Sequence, residues 1–508
     1  MIDRISTTRL RSLVDTPPRA DGDFVLYWCI AARRTSWNFA LERAIAWARE
    51  LGKPLVFFEP LRCAYRWASD RLHRFVLQGM AANGRALADK PVTYWPYVEP
   101  EAGAGRGLLE ALAARACVVV TDDFPCFFLP RMVERAAEKL RALGVRFESI
   151  DGNGLLPLRA TDTVFPTAYA FRRFLQKCLG DHLKAFPRPD PWSEAKKKIE
   201  LPRLVRLPRE IERRWPSPSA ELLAGETAAL AKLPIDHTIG PAPFDGGQAA
   251  ARAALVAFVK ERLPRYGEER SDPDSDASSG LSPWLHFGHL SAHELFAEVA
   301  RREAWKLADL GAPNGGHKEG FWQMSASAEA FLDECITWRE LGLNSCSKRD
   351  DYDQYESLPD WAQATLEEHA ADPRPHHYSL DQLAGSRTHD PVWNAAQREL
   401  VTTGRLHNYL RMLWGKKLLE WSRSPREALA TLIELNNRYA VDGRDPNSYS
   451  GIFWVLGRYD RPWAPQRPIF GSIRFMSSAN TLRKLRMKEY LARFGGDAAE
   501  PGLFAPRR

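Results

Sequence analysis

The hydrophobic rhythm of this chain changes once, and that change limits its architecture more than any other feature. Between residues 23 and 150 short apolar runs alternate with amphipathic stretches, and from Gln248 onward the strand signal is gone. Residues 24–28, 54–58, 92–95, 117–121 and 145–150 read as strands. Between them, residues 37–51, 70–88, 106–115 and 131–143 place apolar side chains three and four apart, the helical period. Leu51-Gly52 and Leu143-Gly144 mark helix ends by their glycines. Short strands alternating with helices predict a doubly wound α/β domain around a parallel sheet. Ligands of such sheets sit beyond the carboxyl ends of the strands. The first strand is not followed by G-x-G-x-x-G, which speaks against a dinucleotide site of the usual kind.

After residue 150 the chain turns proline-rich, with prolines at 187, 189, 191, 202, 208, 216 and 218 and the basic run Lys196-Lys197-Lys198. This reads as a long surface connector holding short helices, one of them around 168–183. From Gln248 on, residues 249–263, 293–305, 326–340, 361–369, 391–403, 406–421, 425–439 and 478–494 read as helices, and residues 270–276 as a loop. The expected organisation is an α/β domain over 1–155, a linker over 156–247, an all-α domain over 248–495 and a tail over 496–508. A length of 508 residues calls for such a division, because one core does not grow that large.

Composition excludes several classes. Seven cysteines without a C-x-x-C pair argue for a reducing compartment and against a disulfide framework or a zinc site. Only Cys335 and Cys346 fall in the C-terminal half, too few there for a four-thiolate iron–sulfur cluster. His369, His376, His377, His389 and His407 show no metal spacing, so no metal is expected. Neither a signal-peptide core nor an apolar run of membrane length is seen, and a cytoplasmic monomer without membrane contact is expected. The net charge of +7 permits a nucleic-acid partner.

Four constellations carry chemistry. Tyr266 and Arg270 precede Ser278-Ser279-Gly280-Leu281-Ser282, small residues whose hydroxyls and backbone N–H groups suit an anion such as a pyrophosphate. Ser282 before Pro283 reads equally well as a helix N-cap. Glu334 and Trp338 are four apart on a predicted helix, where a carboxylate and an indole share a face, although such spacing also describes an ordinary core ring. Trp414 and Trp421 are seven apart on one predicted helix, with Trp393 on the helix before and Arg411, Met412, Lys416 and Lys417 nearby. Finally, residues 455–493 carry nine basic residues, among them Arg458, Arg461, Arg467 and Arg474, against Asp460 and Glu489. With Trp454, Trp463, Phe470 and Phe475 beside them they suit a phosphate backbone, or else form a solvated face.

Longer motifs point to one family. S-G-L-S-P-W-L-H-F-G (279–288), F-L-D-E-C-I-T-W-R-E (331–340), T-H-D-P-V-W-N-A-A-Q (388–397), D-G-R-D-P-N (442–447) and R-P-I-F-G-S-I-R-F-M (467–476) occur in order. Together they resemble class II cyclobutane pyrimidine dimer photolyases, flavin enzymes of the photolyase/cryptochrome family that repair UV-damaged DNA. The resemblance implies FAD in the helical domain, with Tyr266, Arg270, Ser278, Ser279, Gly280, Leu281, Ser282 and Asn447 around it. It places Arg411 and Asp442 beside the isoalloxazine and Asn436 at flavin N5. Glu334, Trp338, Met412 and Trp454 match the lesion pocket, where an electron from light-excited reduced flavin would split a dimer flipped out of the duplex. Trp414, Trp393 and Trp421 match a photoreduction chain, with Tyr378 as a side branch, and Arg458, Arg461, Arg467 and Arg474 are expected on DNA. The protein would associate with a bacterial-type nucleoid when bound there. An antenna, a deazaflavin or a folate, goes with the family, although S-W-N-F-A-L (36–41) is only partly similar to its D-N-W-A-L. Ser271, Asn437, Asn408 and Ser448 replace residues usual in the family, which bears on flavin redox tuning more than on binding. A cryptochrome-type light sensor without repair activity is the alternative; the presence of all four lesion-pocket residues favours repair.

Overall fold

The computed structural model describes residues 5–194, 197, 198, 200–202 and 204–496. Lys196 of the basic run, and all of the expected tail except Gly496, lie outside them. The chain parts into two compact units. The first comprises Met1–Gly267, Ser279–Ser357 and Val441–Ser450, the second Glu268–Ser278, Leu358–Ala440 and Gly451–Arg508.

The first unit is built on a six-stranded sheet: β1 (Leu10–Val14), β2 (Phe24–Trp28), β3 (Leu55–Leu61), β4 (Thr93–Val98), β5 (Ala116–Asp122) and β6 (Arg146–Ile150). Its spatial order is β1-β6-β5-β2-β3-β4, parallel throughout except for β1, which pairs antiparallel with β6. Helices α1 (Phe39–Leu51), α2 (Asp70–Leu87), α3 (Leu108–Ala113) and α4 (Leu129–Ala142) supply the crossovers. Central strands covered on both faces must be apolar at every position, and β2, F-V-L-Y-W, is buried along its whole length. Its side chains divide by parity: Phe24, Leu26 and Trp28 enter one core with Val56, Phe58 and Phe147, while Val25 and Tyr27 enter the other with Leu55, Phe57 and Val120. The sequence reading missed β1, because an edge strand with exposed Arg11 and Ser12 lacks the apolar run by which the others are recognised.

The carboxyl ends of β2 and β5 are tied by one side chain. Asp122 Oδ2 accepts from the backbone N–H groups of Ile30, Ala31 and Ala32 at 2.8, 2.7 and 2.9 Å, and Oδ1 accepts from the Tyr27 hydroxyl at 2.7 Å. Gly288 packs on this loop so closely that a Cβ there would lie 1.8 Å from the Ala31 carbonyl oxygen, and its φ of +69° also favours glycine. The glycine of L-H-F-G is therefore a packing requirement.

A helix runs through Ala326–Leu332 and Arg339–Lys348 with a π-helical turn, Asp333–Trp338, between the two segments. Arg172, in the helix Ala168–His182, grips Asp333 through two bonds of 2.8 and 3.1 Å. Seven residues after Asp333, Glu340 accepts the N–H groups of Leu155 and Leu156 at 2.6 and 2.9 Å. Burial pushes the Glu340 carboxyl up to about 7, opposed by these two amides.

Within the second unit, helices Pro391–Thr403, Asn408–Trp421 and Pro425–Tyr439 pack in sequence. Two of them have the bounds the sequence predicts. The expected helix over 478–494 is instead two, Ser478–Lys484 and Lys488–Phe494, and a further helix, Pro446–Val455, whose residues are divided between the two units, is one that its Ser- and Gly-rich sequence hides. Gly415 admits Val455, whose Cγ2 would stand 2.4 Å from an added Cβ.

Candidate functional site

Glu334 and Trp338, the carboxylate and indole predicted to share a helical face, both lie half-buried in the π-helical turn of the first unit. A π turn inserts one extra residue into an otherwise regular helix and is frequent at functional sites. Asp442 is buried in the same unit, in the loop before Pro446–Val455. Asp445 closes that loop, accepting the N–H of Asn447 at 2.9 Å and lying 3.3 Å from His286 Nδ1. Burial lowers the His286 pKa, against the pull of Asp445. Asn447 itself is exposed. Tyr266 is buried, Ser279 and Gly280 are half-buried, Leu281 is buried and Ser282 is exposed.

The second unit holds the other predicted residues. Arg270 and Ser278 are half-buried, and Arg411 and Met412 are half-buried in the first turn of Asn408–Trp421. Asn436 and Asn437 are buried in the last turn of Pro425–Tyr439, Asn436 Nδ2 donating to Asn437 Oδ1 at 3.0 Å.

Three indoles in this unit form a ladder. Trp414 and Trp393 stack with ring centroids 6.3 Å apart and planes 4° from parallel. Trp393 meets Trp421 edge-on at 5.4 Å, and Trp421 meets Tyr378 edge-on at 5.2 Å. Trp414 Nε1 donates to Gln397 Oε1 at 2.8 Å and Trp393 Nε1 to the Trp414 carbonyl at 3.1 Å, so both buried rings are satisfied and fixed. The contact order is Trp414, Trp393, Trp421, Tyr378, running from buried rings to a half-buried one.

A second aromatic group lies at 453–475. Arg474 stands over Trp463 at 4.1 Å and over Trp454 at 5.5 Å, while Arg461 covers Trp463 at 4.8 Å and Arg467 covers Phe475 at 4.8 Å. Asp460 anchors the group, taking Arg474 Nε at 3.0 Å and Trp463 Nε1 at 3.2 Å. Burial raises its pKa, but the Arg474, Arg461 N–H and Trp463 hydrogen bonds outweigh burial and hold it below the usual carboxylate range. Arg461 and Arg467 are exposed and Arg474 is half-buried. Arg458 differs: at 5% exposure, with its guanidinium 3.7 Å from the Phe453 ring centroid, it sits in the core of the segment rather than on its surface.

Sequence reasoning named Lys416 and Asp460 only as charges near the indoles and missed the burial of the one and the anchoring part of the other. Lys416 is fully buried, donates to the Val455 carbonyl at 2.6 Å and lies 4.8 Å from the Trp454 ring. Burial lowers its pKa to about 7. A lysine on a helix carries no sequence signal of burial. Among the described residues no group of three or more His, Cys, Asp or Glu side chains is placed to hold a metal ion, and no helix is long and apolar enough to cross a membrane.

Comparison with known proteins places this geometry. The family profile described as DNA photolyase matches residues 25–190. The deoxyribodipyrimidine photo-lyase of Methanothermobacter thermautotrophicus is 33% identical over 493 residues, covering 97% of this chain and 99% of that relative. The chain belongs to the deoxyribodipyrimidine photo-lyases. The rice photo-lyase is also 33% identical, over 93% of this chain and 87% of its own. A bacterial class III photolyase structure from Agrobacterium tumefaciens superposes with a TM-score of 0.63 at 18% identity over 95% of this chain and 87% of its own, which establishes the photolyase fold of the sheet and helices.

The residues of this photolyase suit FAD by the chemistry of their donors. Backbone N–H groups and hydroxyls at 278–282 match phosphates and a ribityl chain. In the second unit a half-buried arginine at 411 and buried amides at 436 and 437, and in the first unit a buried carboxylate at Asp442, are groups of the kind that bind a polar heterocycle.

In the first unit a cavity of about 110 Å³ opens at the carboxyl ends of β2, β3 and β5, lined by Tyr65, Phe127, Phe128, Arg33, Arg62 and Arg444 among others.

Proposed function

We propose that this photo-lyase splits cyclobutane pyrimidine dimers in DNA, with Glu334, Trp338, Met412 and Trp454 as the residues that take the lesion and Glu334 hydrogen-bonded to it. Kinship over nearly the whole length of a deoxyribodipyrimidine photo-lyase supports the activity. Bound in its reduced form, FAD would supply the light-driven single-electron chemistry. Arg411, Asp442, Asn436, Tyr266, Arg270, residues 278–282 and Asn447 are the residues that would hold it.

The work of the chain is positioning. The π turn advances Trp338 relative to a regular helix, and Arg172 locks that turn through Asp333. The Glu334 carboxyl then meets the lesion carbonyl or imide, where removal of water strengthens the bond as negative charge develops. Arg461, Arg467 and Arg474 hold flanking phosphates. Trp414, Trp393 and Trp421 return reducing equivalents to oxidised cofactor.

Illumination of the reduced protein with a dimer-containing oligonucleotide tests the activity: thymine absorbance returns if the reading holds, and its failure to return under light sinks it. Glu334→Ala should lower the repair yield while FAD is retained; an unchanged yield removes Glu334 from the chemistry.

For an antenna we propose the cavity at the sheet's carboxyl edge, where three arginines meet aromatic rings, a match for a flat anionic chromophore such as a deazaflavin. Titration with a deazaflavin, read by energy transfer to the flavin, tests this; fluorescence without transfer counts against it.

A further inference from the structure

The indole ladder ends at a hydrogen-bonded pair. Tyr378, in edge contact with Trp421, shares a short hydrogen bond between its hydroxyl and His389 Nδ1, and the same hydroxyl accepts the backbone N–H of His389 at 3.1 Å. The His389 ring is itself 5.5 Å from Trp421 and stacks on His376 at 3.8 Å. A phenol has one proton and two lone pairs. With the His389 amide occupying a lone pair, the O–H is directed at Nδ1 when the imidazole carries its hydrogen on Nε2.

We propose that Tyr378 and His389 form a proton-coupled terminal donor: the phenol gives its electron to oxidised Trp421 while His389 Nδ1 takes its proton. The inference rests on the ladder acting as the photoreduction chain. The oxidant is the indole radical cation left at Trp421 when a hole has moved out along the ladder. One electron leaves the Tyr378 ring, the O–H bond breaks, and a new N–H bond forms on Nδ1. The products are a neutral tyrosyl radical, intact Trp421 and imidazolium. A solution thiolate then returns an electron to the tyrosyl oxygen, becoming a thiyl radical, and the oxygen takes its proton back from His389.

The physical need for the base is direct. A phenol stripped of its electron alone becomes a strongly acidic radical cation, so oxidation by an indole radical is favourable when the proton leaves at the same time. A base within hydrogen-bond reach removes that barrier. His389 must be neutral to act. Partial burial, and then the neighbouring His376, lower its pKa below the usual 6.5, with Lys417 acting the same way and Asp390 and Glu420 opposing. Lys417 is largely occupied by those two acids, 3.6 Å from Asp390 and 2.9 Å from Glu420. His389 and His376 are exposed and Tyr378 is half-buried, so the tyrosyl oxygen is open to a solution reductant.

The test uses the flavin-loaded enzyme, laser flashes, and optical and electron paramagnetic resonance detection of indole and tyrosyl radicals. In the wild type the indole signal should decay as the tyrosyl signal rises, more slowly in D₂O and more slowly as pH falls through the His389 pKa. Tyr378→Phe should leave the indole radical long-lived. His389→Ala should slow tyrosyl formation roughly 100-fold and recover with added imidazole. A wild-type rate in His389→Ala overturns the proposal while leaving the ladder intact; absence of any indole radical overturns the ladder and the proposal with it. A static readout needs no light: the ¹⁵N shifts of His389 should show unprotonated Nδ1 at neutral pH, and a protonated Nδ1 refutes the assignment.

Discussion

Two tryptophan-rich regions of the second unit use the same ring in opposite surroundings. In the ladder, Trp393 and Trp414 are buried, meet other rings, and have their N–H groups bonded to uncharged acceptors. In the 453–475 segment Trp454 and Trp463 lie under cations: Lys416 and Arg474 on the first, Arg461 and Arg474 on the second. A cation held on a π face opposes the loss of an electron from that ring and draws anions toward it. The inner rings of the ladder, Trp414 and Trp393, are thus suited to carrying a positive hole, and the segment to meeting phosphate; at the outer ring, Trp421, the cation over the face is Lys417 at 5.7 Å, itself paired with Asp390 and Glu420. Composition is nearly the same in both; the placement of charge separates them.

The largest test of this contrast is Trp414→Phe, which should bring photoreduction of oxidised flavin to background yet leave pre-reduced enzyme able to repair. Equal loss of both activities would merge the two regions into one. Next, Arg461→Ala and Arg467→Ala should each weaken DNA binding irrespective of sequence and reduce the slope of log affinity against log salt by about 1; unchanged slopes would remove them from the phosphate surface. Arg458→Met should leave that slope alone and cost about 1–2 kcal/mol of stability, because a buried guanidinium–ring contact is lost. Lys416 adds a pH dependence. Lys416 has a pKa of about 7 in the folded protein against an ordinary 10.5, so the unfolded chain binds the extra proton between these values and stability rises with pH across that window. Lys416→Met should flatten that rise, by at most about 1.4 kcal/mol per pH unit; denaturation curves at several pH values check it.

Much of the fold was legible because it rests on local pattern. The central strands were found within a few residues, and helices Pro391–Thr403 and Pro425–Tyr439 to the residue, where Pro at the start and an apolar face through to the end set the limits. The π turn at Asp333–Trp338 was not legible, since its residues fit an ordinary helix and its partner Arg172 lies 161 positions away. Nor was the break at 485–487 in the C-terminal helix, which contains neither Gly nor Pro. There Arg486 pairs with Asp272, and Asp274 accepts the Tyr490 N–H, contacts from more than 200 residues earlier. The motif residues proposed for the site were named from sequence alone. Which arginine is buried, and which histidine meets Tyr378, could not.

The sequence by itself determined the change from strand–helix alternation to helices, the membership of the chain in a family, and the residue types its chemistry requires, because periodicity and motif are local properties of a chain. Tertiary structure alone decided which rings touch, which charges are buried among them, and where a phenol finds a base. Those depend on distances between residues far apart in sequence, and a one-dimensional pattern does not contain them.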